Sequence, residues 1–333
     1  MRAPEFWHHP PGLAATLLSP LEKVWKAGSW VRRQRARPYR ASIPIVCVGN
    51  LVAGGSGKTP VVLSLARRLI DAGQSVHIVT RGYGGRLAGP GRVELLTHDA
   101  VAVGDEALLL AEVAPCWVAR DRAAGMAAAT RAGATLVLLD DGFQNPDVTP
   151  DCAILVVDSA YAFGNRHLIP AGPLREPIMA GLARADAMVL LGDAPAPIEL
   201  RGTARPMFRA CLTPTQPMTS KRPYLAFAGL GRPQKFFDTL REAGVSILAA
   251  HAFGDHHVYR PAEIATLRQE AARAGATLIT TAKDWVRLPP ALRVGIDKLD
   301  VEIRWRDDPA ITQFVLDAIQ PRTHEDRRRS RAG

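Results

Sequence analysis

The residues best suited to chemistry lie in NLVAGGSGKTP, residues 50–60. Gly57, Lys58 and Thr59 close it as a phosphate-binding loop closes, in the pattern G-x-x-x-x-G-K-[ST]. Val52 stands where the first glycine of that pattern belongs. Gly54, Gly55, Ser56 and Gly57 still form a turn whose backbone N–H groups can approach phosphate oxygens closely. A helix starting at Lys58 would add the positive end of its dipole. There Lys58 would neutralise β- and γ-phosphate charge, and the Thr59 hydroxyl would hold Mg2+. A second candidate is LVLLDDGFQ, residues 136–144, an apolar run that ends in Asp140 and Asp141. Acids at the carboxyl end of a neighbouring strand can reach a Mg2+ shell, directly or through water. Two acids after a strand can also simply begin a turn. A guanine site usually carries [NT]-K-x-D. The nearest stretch, TTAKDW at 280–285, has Lys283 and Asp284 adjacent, so the expected nucleotide is ATP.

Such a loop needs a strand before it and a helix after it. Apolar β-rich runs recur at 43–49, 75–80, 116–119, 135–140, 152–158 and 187–191, with helical stretches between them. Their continuous hydrophobicity predicts a mostly parallel α/β sheet of the P-loop NTPase type, with helices on both faces. Residues 59–73 have the apolar spacing of a helix, and Gly73 ends it. Proline and polar residues thicken over 193–222. The expected organisation is an N-terminal amphipathic segment (1–40), a P-loop core (41–200), a linker (201–222), a smaller C-terminal α/β domain (223–320) and a basic tail (321–333).

The chain has 333 residues, 47% of them hydrophobic and 22% charged, and a formal net charge of +10. That is globular composition. Four cysteines lie far apart with no C-x-x-C pair, which points to reduced thiols and not to a metal site. The excess charge is concentrated in residues 1–40, where Arg2, Lys23, Lys26, Arg32, Arg33, Arg35, Arg37 and Arg40 face only Glu5 and Glu22. Ser19 as N-cap, Pro20 at the first helical position and Glu22 predict a helix beginning there. Leu21, Val24, Trp25, Gly28 and Val31 recur at helical spacing, and Leu13, Leu17 and Leu18 extend the apolar surface upstream. Trp25 and Trp30 are interface-seeking side chains. No uncharged run is long enough to span a bilayer. A helix lying in the plane of an anionic membrane fits this pattern, as does a helix packed on the core. No platform of alternating aromatic and basic residues is evident, so no nucleic acid partner is expected. Nothing in the sequence demands a dimer.

Further polar clusters fall on expected loops: TRGYGG (80–85), VGDEALLL (103–110), GNRHLIPAGPLREP (164–177) and FGDHHVY (253–259). Each has a plain reading alone: Asp105 as a helix cap, Arg175 and Glu176 as a surface ion pair, His256 and His257 as loop residues. Together they resemble one family over nearly the whole chain, tetraacyldisaccharide 4′-kinase, the lipid A 4′-kinase of Gram-negative bacteria. Its VGN…GGTGKTP is matched by VGNLVAGGSGKTP, with Ser56 for Thr. Its SRGYG is matched by Thr80-Arg81-Gly82-Tyr83-Gly84, and its GDEP by Gly104-Asp105-Glu106-Ala107. DDGFQ, GPLREP and DHH match outright, and the missing first glycine is the family's habit.

The resemblance implies transfer of the ATP γ-phosphate to the 4′-hydroxyl of tetraacyldisaccharide 1-phosphate, giving lipid IVA. It implies Mg2+ and a place on the cytoplasmic face of the inner membrane. It makes Asp105 the base for the sugar hydroxyl, paired with His256 or, less well matched, His257. Lys58, Thr59, Asp140 and Asp141 would serve the phosphates and Mg2+. Arg81, Arg120, Arg175 and Glu176 would contact substrate, and Tyr83 would stack on adenine or a sugar. Two rivals remain at this point: a regulatory P-loop NTPase acting on a protein partner, and a nucleic-acid-binding ATPase.

Overall fold

The structure is a computed structural model that describes residues 4–216 and 222–320. The expected basic tail, 321–333, lies outside the described residues. In chain order the elements are α1 Leu13–Arg35, β1 Ile45–Gly49, α2 Lys58–Asp71, β2 Val76–Thr80, β3 Gly91–Arg92, α3 Ala100–Val103, α4 Asp105–Ala111, β4 Cys116–Val118, α5 Arg122–Arg131, β5 Leu136–Asp140, β6 Cys152–Asp158, α6 Ile178–Leu182, β7 Ala187–Leu191 and β8 Met207–Pro214. Then come β9 Tyr224–Ala228, α7 Pro233–Glu242, β10 Ile247–Ala252, α8 Pro261–Arg273, β11 Thr277–Thr281, α9 Ala282–Arg287, β12 Ile296–Leu299, β13 Val301–Trp305 and α10 Ala310–Ile319.

The larger sheet has the order β13-β8-β7-β6-β1-β5-β2-β4-β3. It is parallel except at its two edges, where β13 meets β8 and β3 meets β4 antiparallel. Its strands read as unbroken apolar runs because both faces are covered. Along β1, Val46 and Val48 join Val61, Leu65 and Leu69 of α2 and Ile311 and Val315 of α10 on one face. Ile45 and Cys47 point the other way, towards Met126 and Ala129 of α5 and towards Phe143 and Leu182. A smaller parallel sheet, β10-β9-β11-β12, carries the second core.

Two boundaries differ from the sequence expectation. The span read as a linker holds β8, which pairs parallel with β7 and extends the large sheet. β13 and α10, expected in the C-terminal domain, return to the large sheet. The small sheet is therefore an excursion, roughly residues 224–299, out of the larger unit. The helix α1 begins at Leu13, not at Ser19, and Pro20 sits inside it. Proline lacks the N–H that would bond the carbonyl four residues back. Here the Ser19 hydroxyl donates to that carbonyl, of Thr16, at 2.9 Å, so the helix runs through.

Candidate active site at the P-loop and the domain boundary

β1 ends at Gly49 and α2 starts at Lys58, so residues 50–57 form the loop between a central strand and a helix N-terminus. Val52 needs no glycine's freedom. It is buried and extended, bridging antiparallel to Leu174, while Ala53 N–H donates to the Pro173 carbonyl at 2.8 Å. The turn proper starts at Gly54 (φ 105°). Gly57 is required twice over: its φ is 82°, and a Cβ there would stand 2.4 Å from Leu191 Cδ1. Ser56 is buried and accepts from Asn50 Nδ2 at 2.7 Å. Lys58 Nζ is 3.1 Å from Asn50 Oδ1 and 3.5 Å from Asp141 Oδ1.

β5 is hydrogen-bonded beside β1, which brings its acids to the same end of the sheet. Asp140 is buried, and Thr80 Oγ1 donates to its Oδ2 at 3.0 Å. Its Oδ1 is buried with no hydrogen-bond partner among the described residues. Burial, with Glu106 and Asp141 nearby, pushes the Asp140 carboxyl up to about 7. An unsatisfied buried carboxylate oxygen and the Thr59 hydroxyl are suitable donors for a hard divalent cation, which ordinarily takes few protein ligands and several waters. The residues thus fit Mg2+. Asp141 behaves oppositely: burial raises it, but Lys58 and Arg175 outweigh that and hold it well below the ordinary carboxylate range. Arg175 Nη1 donates to both Asp141 oxygens at 3.0 Å.

Asp105 opens α4 after Gly104, whose φ of 88° and absent Cβ let the Gly82–Tyr83 backbone pack against it. It is nearly buried. Its Oδ1 accepts from Glu106 N–H at 2.8 Å. Its Oδ2 meets His256 Nδ1 at 3.1 Å and Arg287 Nε at 2.7 Å. Burial raises the Asp105 carboxyl, but the bond to His256 and the charges of Arg287 and Lys283 hold it well below its usual range. The same bond raises the His256 imidazole against the opposing effect of burial. Glu106 links this pair to the phosphate loop: it accepts from Thr59 Oγ1 at 3.2 Å and pairs with Lys283. Asp141 (φ 51°) and His256 (φ 53°) both hold left-handed backbone, so local strain sits at the site itself.

The remaining expected residues divide. Tyr83 is exposed and its ring lies 5.0 Å from that of His256, so it flanks the Asp105–His256 pair. Arg81 is exposed at the end of β2. Three residues stand apart from the expectation. Arg120 is exposed. Two positions on, Arg122 is buried at the head of α5, just after the Asp121 cap, and its Nη1 donates to the Ala119 carbonyl at 2.5 Å. Arg122 Nε is buried without a partner among the described residues, and Asp140 and Arg81 act on the group electrostatically. Glu176 is buried and held by Arg33 and Arg184, both at 2.7 Å, and by Gln144, which in turn accepts from Arg175 Nη1 at 3.2 Å. His257 stacks on Phe253 and pairs with Glu263 at 3.0 Å inside the small unit. Asn50, Glu106, Arg122, Lys283 and Arg287 escape sequence reasoning. For Lys283 and Arg287 the visible signal is TTAKDW itself, which as a sequence speaks only to the guanine motif it fails to match.

The two units also meet at the loop. Arg232, leading into α7, donates to the Gly55 carbonyl and to Asp158 Oδ2, the latter at 2.9 Å. Lys235 reaches the same Asp158 oxygen at 2.7 Å. A strand–glycine-loop–helix cradle, paired acids on the next strand and a carboxylate–imidazole pair across a domain boundary define a P-loop phosphotransferase.

The family model described as tetraacyldisaccharide-1-P 4′-kinase matches residues 14–320. A tetraacyldisaccharide 4′-kinase of Gluconacetobacter diazotrophicus is 49% identical over 321 residues, covering 95% of this chain and 98% of that one. One from Rhodospirillum centenum is 48% identical, covering 95% and 96%. The crystal structure of LpxK from Aquifex aeolicus in complex with ATP superposes with a TM-score of 0.73 at 26% identity, covering 92% of this chain and all of that one. The chain belongs to the tetraacyldisaccharide-1-P 4′-kinase family and is an ATP-dependent kinase.

Proposed function

We propose that this chain transfers the γ-phosphate of ATP to the 4′-hydroxyl of tetraacyldisaccharide 1-phosphate, yielding lipid IVA and ADP. The observation that carries the reading is the Thr59–Glu106 hydrogen bond, 3.2 Å. It sets the phosphate loop one residue from the Asp105–His256 pair, within reach of both ends of an in-line transfer. The backbone of Gly54, Gly55, Ser56 and Gly57 cradles phosphate oxygens, and Lys58 meets charge that grows on the leaving side. Thr59 and Asp140 would hold Mg2+, with Asp141 beside them; when bound, the ion would offset negative charge on the β- and γ-phosphates. Arg175 holds Asp141 in place and faces the transferring group, with Arg122 and Arg81 adding positive field.

The sugar hydroxyl oxygen forms the new bond to phosphorus as the bond to the β-phosphate oxygen breaks. The hydroxyl proton passes to the Asp105–His256 pair. Both Asp105 oxygens are already engaged, so the carboxylate stays ionised and the proton rests on His256. Tyr83 flanks that ring and would guide the sugar.

The lipid substrate approaches from a membrane surface. No helix of the described residues is long and apolar enough to cross a bilayer. α1 instead turns Ala15, Leu18, Glu22, Ser29 and Arg33 inward and leaves Leu13, Leu17, Leu21, Val24 and Val31 exposed. The inward set recurs every three, four or seven residues, one helix face, and the exposed set takes the opposite one. That face, with its flanking Lys and Arg, suits the cytoplasmic leaflet of the inner membrane.

The test is incubation of the purified chain with γ-labelled ATP, Mg2+ and tetraacyldisaccharide 1-phosphate in detergent micelles, beside Asp105→Ala and Lys58→Ala. Label enters the lipid with wild type and falls at least roughly a hundredfold in both variants. ATP hydrolysis without labelled lipid would sink the reading and leave a regulatory NTPase.

A further inference from the structure

The exposed face of α1 accounts for its apolar residues but not for its inward contacts. Glu22 Oε1 meets His167 Nδ1 at 2.5 Å, Trp25 Nε1 donates to the Arg175 carbonyl at 2.8 Å, and Arg33 pairs with Glu176. All three partners lie in one loop, residues 164–177, whose Leu174 also bridges to Val52 of the phosphate loop. The Trp25 contact is the one aimed at the chemistry. Its acceptor is the backbone of Arg175, whose guanidinium grips both oxygens of Asp141. Asp141 in turn stands 3.5 Å from Lys58 Nζ. Trp25 itself lies at the edge of the exposed apolar stripe and is 40% exposed. One side chain thus touches both the exposed apolar side of the helix and the arginine of the site.

We infer that Trp25 is a positioning residue for Arg175, so that seating α1 on a membrane and setting the Arg175–Asp141–Lys58 geometry are linked. The membrane half of this inference rests on the reading of α1 given above. The positioning half does not. A tryptophan at a bilayer edge needs only its amphipathic ring. A tryptophan whose indole N–H is spent on a loop carbonyl fixes that loop, and a small displacement of a phosphoryl-transfer arginine costs rate. Glu176, the next residue, is held by Arg184 and Gln144 as well as by Arg33, which leaves the Arg175 carbonyl as the point where α1 can act on the arginine.

The experiment is a double-mutant cycle in detergent micelles with Trp25→Phe, Arg175→Ala and the pair. Phe keeps an aromatic ring and removes the N–H. Trp25→Phe lowers kcat roughly three- to tenfold with KM for ATP within about twofold, as expected for one hydrogen bond lost. In the Arg175→Ala background the same change has no further effect, because its target is gone. Unchanged kcat, or losses that simply multiply, would overturn the inference. Thermal melting of each variant by circular dichroism excludes a folding defect, and Trp25→His, which restores a ring N–H, regains part of kcat. Vesicle sedimentation runs alongside. Wild type that ignores anionic vesicles would refute the membrane reading, while the cycle would still decide whether Trp25 positions Arg175.

Discussion

Arg287 gives both Nε and Nη2 to a single oxygen of Asp105, across the boundary between the two units. Neither side chain is more than 5% exposed. Arg287 cannot swing away, because its Nη1 is fixed by the Gly229 carbonyl at 2.6 Å and by Asp284 at 2.9 Å. Asp284 is itself anchored by Gly229 N–H and Tyr259. The small unit therefore supplies both the imidazole that pairs with Asp105 and the cation that orients it.

Removing one partner of a buried ion pair leaves an uncompensated charge. Arg287→Met should lower stability by about 3 kcal/mol in urea denaturation. It should also lower kcat roughly ten- to a hundredfold, since the carboxylate loses its fixed orientation. Arg287→Lys should recover stability better than rate, because lysine restores the charge but not the fork. Equal recovery of both would mean that orientation of Asp105 does not matter.

The Asp105–His256 bond has opposite consequences for its two members. The folded-state pKa of His256 is raised, so its stabilising contribution is fully present below about pH 6.5 and fades as pH rises through the raised value. Asp105 is depressed, so its contribution is present above about pH 3.9 and is lost as pH falls through the lowered value. The stability gap between wild type and His256→Gln should thus be widest in mild acid and close in alkali. In the proposed transfer His256 must be neutral to take the proton, so the acid limb of kcat against pH should lie above about 6.5. Asp105→Asn should move that limb to lower pH. A limb that stays put would separate His256 from the proton.

The strands were legible because a sheet covered on both faces writes unbroken apolar runs, such as Cys152–Asp158. The phosphate loop was legible because Gly57, Lys58 and Thr59 must be adjacent. What escaped depends on distance. Lys283 and Glu106 are 177 residues apart, and no periodicity announces their pairing. β8 hid between prolines, and β13 looked like the next strand of the small sheet because a sequence does not say which edge a strand will join. Arg120 and Arg122 lie on either side of the Asp121 cap, and nothing in the residue types tells which of them folds in against the Ala119 carbonyl.

Glu176 lies next to Arg175 but does a different job. It is buried and bonded by two guanidiniums and an amide, and burial is outweighed by Arg184 and Arg33, which hold it below the usual carboxylate range. Glu176→Gln should cost about 1–3 kcal/mol in thermal or urea unfolding, because two guanidiniums lose their anionic partner and the amide NH2 cannot accept from them. Its effect on the KM for lipid should be less than about threefold. Arg120→Ala, at an exposed position, should shift stability by under about 0.5 kcal/mol. A large lipid KM effect with unchanged stability would return Glu176 to the substrate.

On the proposed membrane reading of α1, its apolar face and its charges make separable contributions to binding. Lys23, Lys26, Arg32 and Arg35 are exposed along it. Each basic residue near an anionic surface contributes on the order of 1 kcal/mol, screened by salt. Binding to vesicles containing anionic lipid should therefore weaken steeply as salt rises, and binding to neutral vesicles should not. Leu17 and Val24 act differently, through burial of side chains that are 70% and 69% exposed in the free chain. Replacing both by serine removes about 3 kcal/mol of burial, or roughly a hundredfold in partition, at every salt concentration. A core-packed helix would show neither dependence, since its apolar face would already be satisfied. Partition that responds to salt but not to the double serine variant would make α1 an electrostatic tether lying above the headgroups, without insertion.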